Sequence, residues 1–269
     1  MRTRFAFFRS VLGLVAVGEL AWSLAFYVRP ELALGLLGRG LIDPVICRQY
    51  PLYLASVALA YALAATDPQR YRGLIWVCVA QRGVEFVAAV LDSRAGAIAT
   101  SSFFGLAALE SVVGLALAAG LRGGIEANDG AASPDRRDRG LARLLRAFGG
   151  LEAFWFLASS IFVQVGSRLL HWKLQDPYTT QQQGIALLII GLTSLVAASD
   201  VSRYRIFVWV PVASQLIGIA NAFNEIRLGS IGWATASVQW TIECSIVAAF
   251  AYFARGSFAR KTAPALAEP

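Results

Sequence analysis

Eight long apolar segments dominate this sequence, and their length is the feature that most limits its fold. They cover residues 5–28, 46–66, 72–92, 97–120, 141–163, 181–199, 204–226 and 230–254. A helix needs roughly 20 apolar residues to cross the hydrocarbon core of a bilayer. Because these segments show little alternation of polar and apolar residues, they predict helices and not the strands of a barrel. The sequence therefore predicts an all-α, polytopic membrane protein with eight transmembrane helices.

The composition supports a lipid bilayer as the main partner. Charged residues make up 15% of the chain, whereas a soluble domain carries about 25%. The net charge of +7 comes without a basic helix or an aromatic-interleaved motif, so no nucleic-acid partner is expected. Three scattered cysteines and the single His171 offer no metal-ligand spacing, so we predict no metal site.

The chain repeats itself at a constant offset of 133 residues. The phrase "ATDPQRYRGLIW" (65–76) returns as "ASDVSRYRIFVW" (198–209), and no insertion is needed to align the flanking spans. This pattern predicts two four-helix membrane repeats in tandem, residues 1–120 and 141–256, joined by a cytoplasmic linker at 121–140. Residues 257–269 are expected to form a disordered tail. Because each unit has an even number of spans, the repeats should be parallel and not inverted.

The distribution of positive charge predicts the orientation. On the side of the N-terminus we count sixteen Lys and Arg residues, against seven on the opposite side. The positive-inside rule then places both termini in the cytoplasm. The expected location is the inner (cytoplasmic) membrane of a cell, crossed several times.

The repeated phrase itself predicts helix starts and membrane anchors. Asp67 is suited to be an N-cap, with Pro68 at the first helical position, and Asp200 can cap in the same way. The tyrosine of each phrase should lie at the interface between two arginines that reach toward headgroups. The residues assigned to this interfacial role are Asp67, Arg70, Tyr71, Arg72, Asp200, Arg203, Tyr204 and Arg205.

Several ionisable residues fall inside the predicted spans of the first unit. Glu19 lies about 14 residues into the first span, and Glu110 lies about 13 residues into the fourth, so they reach similar depth. Arg82 and Glu85 lie one helical turn apart on the third span. A charge at such a depth costs about 2.5–3.5 kcal/mol, so each should face the bundle interior and a partner. We expect Arg82 to pair with Glu85, Glu19 or Glu110.

The second unit keeps the glutamates as Glu152 and Glu243 but has Gln215 where the first has Arg82. Two interpretations stay open. The glutamates either join helices by hydrogen bonds worth about 0.5–2 kcal/mol each, or they line a site for a ligand or a proton. The residues of that hypothetical site are Glu19, Arg82, Glu85, Glu110, Glu152, Glu243 and Gln239.

Each unit resembles the small four-helix bacterial membrane proteins known as DoxX-like. The resemblance rests on the opening span "FRSVLGLVAVGELAWSLAFYVRPELALGLLG" and on the Asp-x-x-Arg-Tyr-Arg motif that follows the second span. It implies a four-helix membrane bundle. Some DoxX-like proteins resemble membrane subunits of quinone-linked oxidoreductases, which makes a quinone or a lipid the molecule to expect. No cofactor is evident from the residues themselves.

The sequence favours a non-enzymatic function. We predict a structural or accessory subunit that packs with other membrane proteins, because no set of catalytic residues is recognisable. The alternative is that the buried glutamates bind or transport a small lipophilic molecule, a quinone or a proton within the membrane.

Overall fold

The computed structural model describes residues 2–121, 136–169, 175–229 and 231–258 of the 269-residue chain. All regular structure in these ranges is helical. The α-helices are α1 (Arg2–Val28), α2 (Pro30–Leu36), α3 (Ile46–Thr66), α4 (Arg72–Arg94), α5 (Thr100–Leu121), α6 (Arg136–Phe156), α7 (Val163–Leu169), α8 (Pro177–Ser199), α9 (Val201–Tyr204), α10 (Trp209–Arg227) and α11 (Trp233–Phe258). A π-helical segment, Leu157–Ile161, continues α6, and a 3-10 segment, Arg205–Val208, precedes α10.

Six helical segments are long and apolar enough to cross a membrane, judged by length and composition within the described ranges. They are Ala6–Val28, Arg72–Arg94, Thr100–Ala119, Arg137–Ile161, Pro177–Ser199 and Val201–Arg227. Sequence analysis predicted eight. The two predicted spans outside this set correspond to α3 and α11, which carry more polar residues, among them Arg48 in α3 and Gln239 and Glu243 in α11.

Helices α3 and α8 form the centre of the molecule and contact each other. In the first half (residues 2–121), α1 packs on α3 and α4 packs on α5. In the second half (residues 136–258), α6 packs on α8 and α10 packs on α11. The halves interlock, because α4 also contacts α8 and α10 also contacts α3.

Two glycines allow a close approach of α6 and α8. A Cβ atom on Gly149 would lie 2.8 Å from the carbonyl oxygen of Gly191, and one on Gly191 would lie 3.0 Å from the carbonyl oxygen of Gly149. Small residues at such crossings let helix backbones meet, which favours dispersion contacts between helices. The interface of α6 and α8 therefore depends on both positions.

The predicted helix caps are confirmed in the second half but not at Asp67. Asp176 and Asp200 are the N-cap residues of α8 and α9, and each carboxylate accepts a hydrogen bond from a backbone N–H three residues later. Asp67 accepts the equivalent bond from the Arg70 N–H over 3.0 Å, yet α4 begins only at Arg72. The prediction of a helix starting at Pro68 is therefore wrong, because Asp67 closes a turn that precedes the helix.

The structure describes the ends of the predicted linker and the beginning of the predicted tail. Residues 136–140 belong to α6 and residues 257–258 belong to α11, so both ends of the second unit are helical beyond the predicted limits. Residues 122–135 of the linker and 259–269 of the tail lie outside the described residues.

Candidate functional site

Arg82 is the centre of a cluster of charges in the first half. Its Nη1 atom lies 2.9 Å from Glu110 Oε2 and 3.2 Å from Glu85 Oε2, and its Nη2 atom contacts Glu19 Oε1. The side chain of Arg82 is 5% exposed. Sequence analysis left open which glutamate pairs with Arg82, and the structure shows that it contacts all three. Helices α1, α4 and α5 each contribute to the cluster.

Two uncharged residues support this cluster. The Tyr61 hydroxyl donates to Gln81 Oε1 over 2.7 Å, and Gln81 Nε2 donates to Glu85 Oε1 over 2.7 Å. Arg82 Nη2 in turn donates to the Tyr61 hydroxyl over 3.1 Å. Sequence analysis missed Tyr61 because it lies in an otherwise apolar run, where a tyrosine is usually a packing residue. These hydrogen bonds help to hold the guanidinium in one position.

A cavity of about 460 Å³ lies next to this cluster and is called the first cavity. Apolar residues of α1 and α5 form much of its wall, and the second half contributes the beginning of α8. Residues that line it include Glu19, Trp22, Phe26, Tyr50, Arg82, Glu85, Asp92, Glu110, Tyr178, Thr179 and Gln182. The charges that the sequence placed inside spans therefore face a cavity.

A second cavity, of about 1070 Å³, lies in the second half of the molecule. Its wall is formed by α6, α8, α10 and α11, and the first half contributes the beginning of α3. Residues that line it include Val45, Gln49, Tyr53, Glu152, Trp155, Ser159, Gln215, Glu225, Gln239 and Glu243. The remaining predicted site residues, Glu152, Gln239 and Glu243, are thus brought together here and not with the Arg82 cluster.

The two predicted glutamates of the second cavity have different surroundings. Glu243 Oε1 accepts a hydrogen bond from Gln239 Nε2 over 3.1 Å, whereas its Oε2 atom is buried without a hydrogen-bond partner. Glu152 is 5% exposed and lines the cavity. Among the described residues, no hydrogen bond or ion pair to the Glu152 carboxyl group is present. The second cavity therefore contains carboxylate oxygens that the protein itself leaves unbonded.

The side chains of Phe26 and Ser159, which lie at the same offset in the two halves, contribute to the difference in volume between the cavities. Phe26, which is fully buried, lines the first cavity and packs edge-on against Trp22 and Tyr50, with ring centroids 5.1 and 5.3 Å away. The residue 133 positions later, Ser159, lines the second cavity and belongs to the π-helical segment. Replacement of a phenyl ring by a hydroxymethyl group opens space. Single π-helical turns are frequent at functional sites.

A hydrogen bond joins the halves beside the second cavity. Gln49 of α3 donates to Glu225 of α10, and the residues at the same offset in the other half, Gln182 of α8 and Asp92 of α4, both line the first cavity. Glu225 also accepts from Asn221 Nδ2 over 2.6 Å. Sequence analysis did not assign these residues to a site, because contacts between halves depend on docking and leave no periodic signal in either half.

The repeated "RYR" phrases also contact each other. Arg70 Nε donates to the carbonyl oxygen of Arg203 over 3.2 Å, and Arg203 Nε donates to the carbonyl oxygen of Arg70. The rings of Tyr71 and Tyr204 lie 6.1 Å apart, and the Gly73 N–H donates to the Tyr204 hydroxyl over 3.2 Å. The phrases were predicted to be membrane anchors. In the folded chain their side chains bind the opposite half.

The flanking arginines bind the neighbouring helices instead of the opposite phrase. Arg72 Nη2 donates to the carbonyl oxygen of Leu121 at the end of α5, and Arg205 forms an ion pair with Asp138 at the start of α6. Together with the turn that Asp67 closes, the cap formed by Asp200 and the ring contact of the two tyrosines, these bonds account for all eight residues assigned to the phrase. The two turns therefore form a hydrogen-bonded seam between the halves.

No group of three His, Cys, Asp or Glu residues that could hold a metal ion occurs within the described ranges.

Comparisons with known proteins give no further guide to the site. No protein-family model, curated protein or solved structure matches this chain significantly. The resemblance to DoxX-like proteins therefore stays a prediction from the motifs quoted above.

Proposed function

We propose that this chain is a non-enzymatic, multi-pass membrane protein that binds a small amphipathic molecule in its second cavity. The observation that carries this proposal is the second cavity, whose volume of about 1070 Å³ suits a ligand of drug size or larger. Its apolar wall and its few buried carboxylates are typical of a ligand site. A lipid or a quinone has the apolar body that such a wall would contact.

The proposed architecture is two parallel four-helix units, eight spans in all, with both termini in the cytoplasm. Several features recur at an offset of 133 residues and support it. Helices α3 and α8 end at Thr66 and Ser199, and Gly96 and Gly229 follow α4 and α10 with φ of +68° and +70°. The bonds from Arg70 to Arg203 and from Arg203 to Arg70 span 133 residues and are reciprocal. Reciprocal contacts are expected when two similar units pack about a two-fold axis.

The side of the second cavity between α6 and α11 supplies a route of entry. Leu151 of α6, together with Val238 and Ile242 of α11, lines the cavity and is also exposed on the outside of the molecule. In a bilayer these side chains would face lipid tails. A lipophilic ligand would therefore reach the cavity from within the membrane.

An accessory subunit is the second candidate, and the surface of α5 favours it. Only 11% of the α5 span is buried inside the molecule, against 61% for α8. Phe104, Leu109, Val112 and Leu115 of α5 are exposed. Either lipid tails or another membrane protein would cover this face. An accessory role would use α5 and leave the cavities without a ligand.

One purification separates the two candidates. The protein is extracted from its native membrane in a mild detergent, and its bound small molecules and co-migrating polypeptides are identified by mass spectrometry. Ile246→Trp places an indole in the second cavity, and Leu115→Trp is the matched change on the exposed face of α5. We expect one class of small molecule to be retained by the wild type and by Leu115→Trp, and to be reduced severalfold in Ile246→Trp. Equal retention by all three proteins, with polypeptides lost only from Leu115→Trp, would favour the accessory subunit.

A further inference from the structure

Each cavity is lined by a corresponding pair of glutamates, but among the described lining residues only those of the first cavity include a cation. In the first cavity, Glu19 and Glu110 bind the guanidinium of Arg82. The residues at the same places in the second half are Glu152 and Glu243, and Gln215 lies where Arg82 lies. Both glutamates and Gln215 line the second cavity. The first half therefore supplies a cation that contacts its carboxylates, whereas the described lining of the second cavity supplies none.

The described lining of the second cavity contains four carboxylates, of Asp43, Glu152, Glu225 and Glu243, and no Lys, Arg or His. Asp43 and Glu225 are bonded by neighbouring backbone or side-chain N–H groups. Glu152, which is 5% exposed, and the Oε2 atom of Glu243 accept no such hydrogen bond among the described residues. A buried carboxylate is unstable unless it is protonated or paired with a cation.

Glu243 occupies space that a side chain fills in the first half. It lies against Gly218, whose counterpart is Glu85, and a Cβ atom on Gly218 would overlap Glu243 Oε1. The second cavity therefore lacks both the cation and one of the three acidic groups found around Arg82. What remains at these positions is a pair of glutamates, Glu152 and Glu243, that line the second cavity.

We propose that the second cavity binds a lipophilic amine, whose ammonium group pairs with Glu152 and Glu243 as the Arg82 guanidinium pairs with Glu19 and Glu110. This inference rests on the proposed binding function and names the chemical class of the ligand. The apolar part of the amine packs against Leu187, Ile242 and Ile246, which line the same cavity. Trp155 and Tyr53 add aromatic surface, which also attracts cations.

An inorganic cation fits this cavity less well. Such an ion needs several oxygen ligands at about 2–2.6 Å on all sides. A volume of about 1070 Å³ with a largely apolar wall is far larger than a single ion. An ammonium group on an apolar chain satisfies the carboxylates and fills the remaining space.

The test uses the full chain in nanodiscs of neutral phosphatidylcholine, with radiolabelled dodecylamine as the probe and dodecanol as its uncharged match. Binding is measured as retention above that of empty nanodiscs, so that partition into lipid is subtracted. We expect saturable binding of one dodecylamine per chain, at least about tenfold tighter than that of dodecanol. Equal affinity for the two probes would overturn the amine inference.

Four variants, one of them a control, locate the amine. Glu152→Gln should weaken dodecylamine binding about tenfold or more, whereas Glu31→Gln, on the exposed surface of α2, should leave it unchanged. Gln215→Arg supplies the missing cation and should abolish amine binding. In the first half Arg82 packs on Gly114, where a Cβ atom would lie 3.2 Å from the Arg82 Cβ. The residue at the same offset in the second half is Val247, whose side chain would crowd an arginine at position 215. The double variant Gln215→Arg/Val247→Gly therefore repeats the test with room for the new side chain.

The outcomes distinguish this inference from the proposed function. If dodecanol and dodecylamine bind equally and Ile246→Trp abolishes both, the cavity binds ligands but does not select an amine. If ²²Na⁺ is retained instead, and is lost in Glu152→Gln, an inorganic cation replaces the amine. If neither probe is retained and the native purification yields no small molecule that depends on Ile246, both the inference and the proposed function are wrong.

Discussion

Arg70 and Arg203 each donate a hydrogen bond to the backbone carbonyl of the other, across 133 residues of sequence. Each guanidinium makes a second bond to the residue before its partner, Ser202 for Arg70 and Gln69 for Arg203. A membrane anchor would require neither reciprocity nor a backbone acceptor. The arginines of the repeated phrase therefore join the two halves of the molecule.

This relationship predicts equal losses of stability on removing either arginine. Arg70→Ala and Arg203→Ala should each lower the free energy of unfolding by about 1 kcal/mol, since each change removes two exposed charge-assisted hydrogen bonds. Thermal unfolding in detergent gives the measurement. Arg143→Ala, an exposed arginine on α6, is the control and should have little effect. A loss in only one of the two variants would contradict the reciprocal arrangement.

The Arg82 cluster predicts a large effect at a single position. Arg82→Gln should destabilise the protein by about 3–5 kcal/mol, because the buried Glu110 and the partly buried Glu19 and Glu85 would then lack a cation. Gln215→Ala removes an amide at the counterpart position, where no ion pair is lost, and should cost about 1 kcal/mol. Denaturant or thermal unfolding compares the two variants. Equal losses would show that Arg82 is not the centre of the ion-pair network.

The crossing of α6 and α8 predicts a contrast between adjacent glycines. Gly149→Leu should destabilise the protein by about 1–3 kcal/mol, since a side chain there would meet the backbone of Gly191. Gly150→Leu is the matched control, because nothing lies within 4 Å of a Cβ atom at that position. The measurement is the midpoint of thermal unfolding. Similar midpoints for both variants would mean that α6 and α8 are not closely packed.

The charge bias predicts that both termini lie in the cytoplasm. A fluorescent protein that matures only in the cytoplasm should fluoresce when fused before Met1 or after Pro269. Alkaline phosphatase, which is active only outside the cytoplasm, should be inactive at either position. Activity of the phosphatase behind Pro269 alone would require an odd number of spans and would contradict two even-numbered units.

The candidate site was predictable where a charge lies deep in an apolar segment. Glu19, Arg82 and Glu110 were found in this way, because burying a charge restricts what its neighbours can be. Gln49 was not found, because its partner Glu225 belongs to the other half and no local pattern reveals how the halves dock. Tyr61 was not found either, since a buried hydroxyl looks like any other aromatic residue until its partner is known.

The fold was predictable from length and periodicity, but the irregular parts were not. The ends of α3 and α8 lie where the apolar segments end, at Thr66 and Ser199. The π-helical segment at Leu157–Ile161 was not predicted. Its first-half counterpart is ordinary α-helix, so the same repeat position supports both geometries, and local packing decides between them. That segment is also what places Ser159, and not a bulky ring, beside the second cavity.

Each cavity takes part of its wall from the opposite half, through the first turns of α3 and α8. A lone four-helix unit would consequently have an incomplete pocket and would need a second copy of itself to close it. In such a homodimer both pockets would be identical, and any substitution would alter both at once. Within one polypeptide the two pockets can differ, so that Arg82 contacts the glutamates of one while Gln215 lies at the same offset in the other.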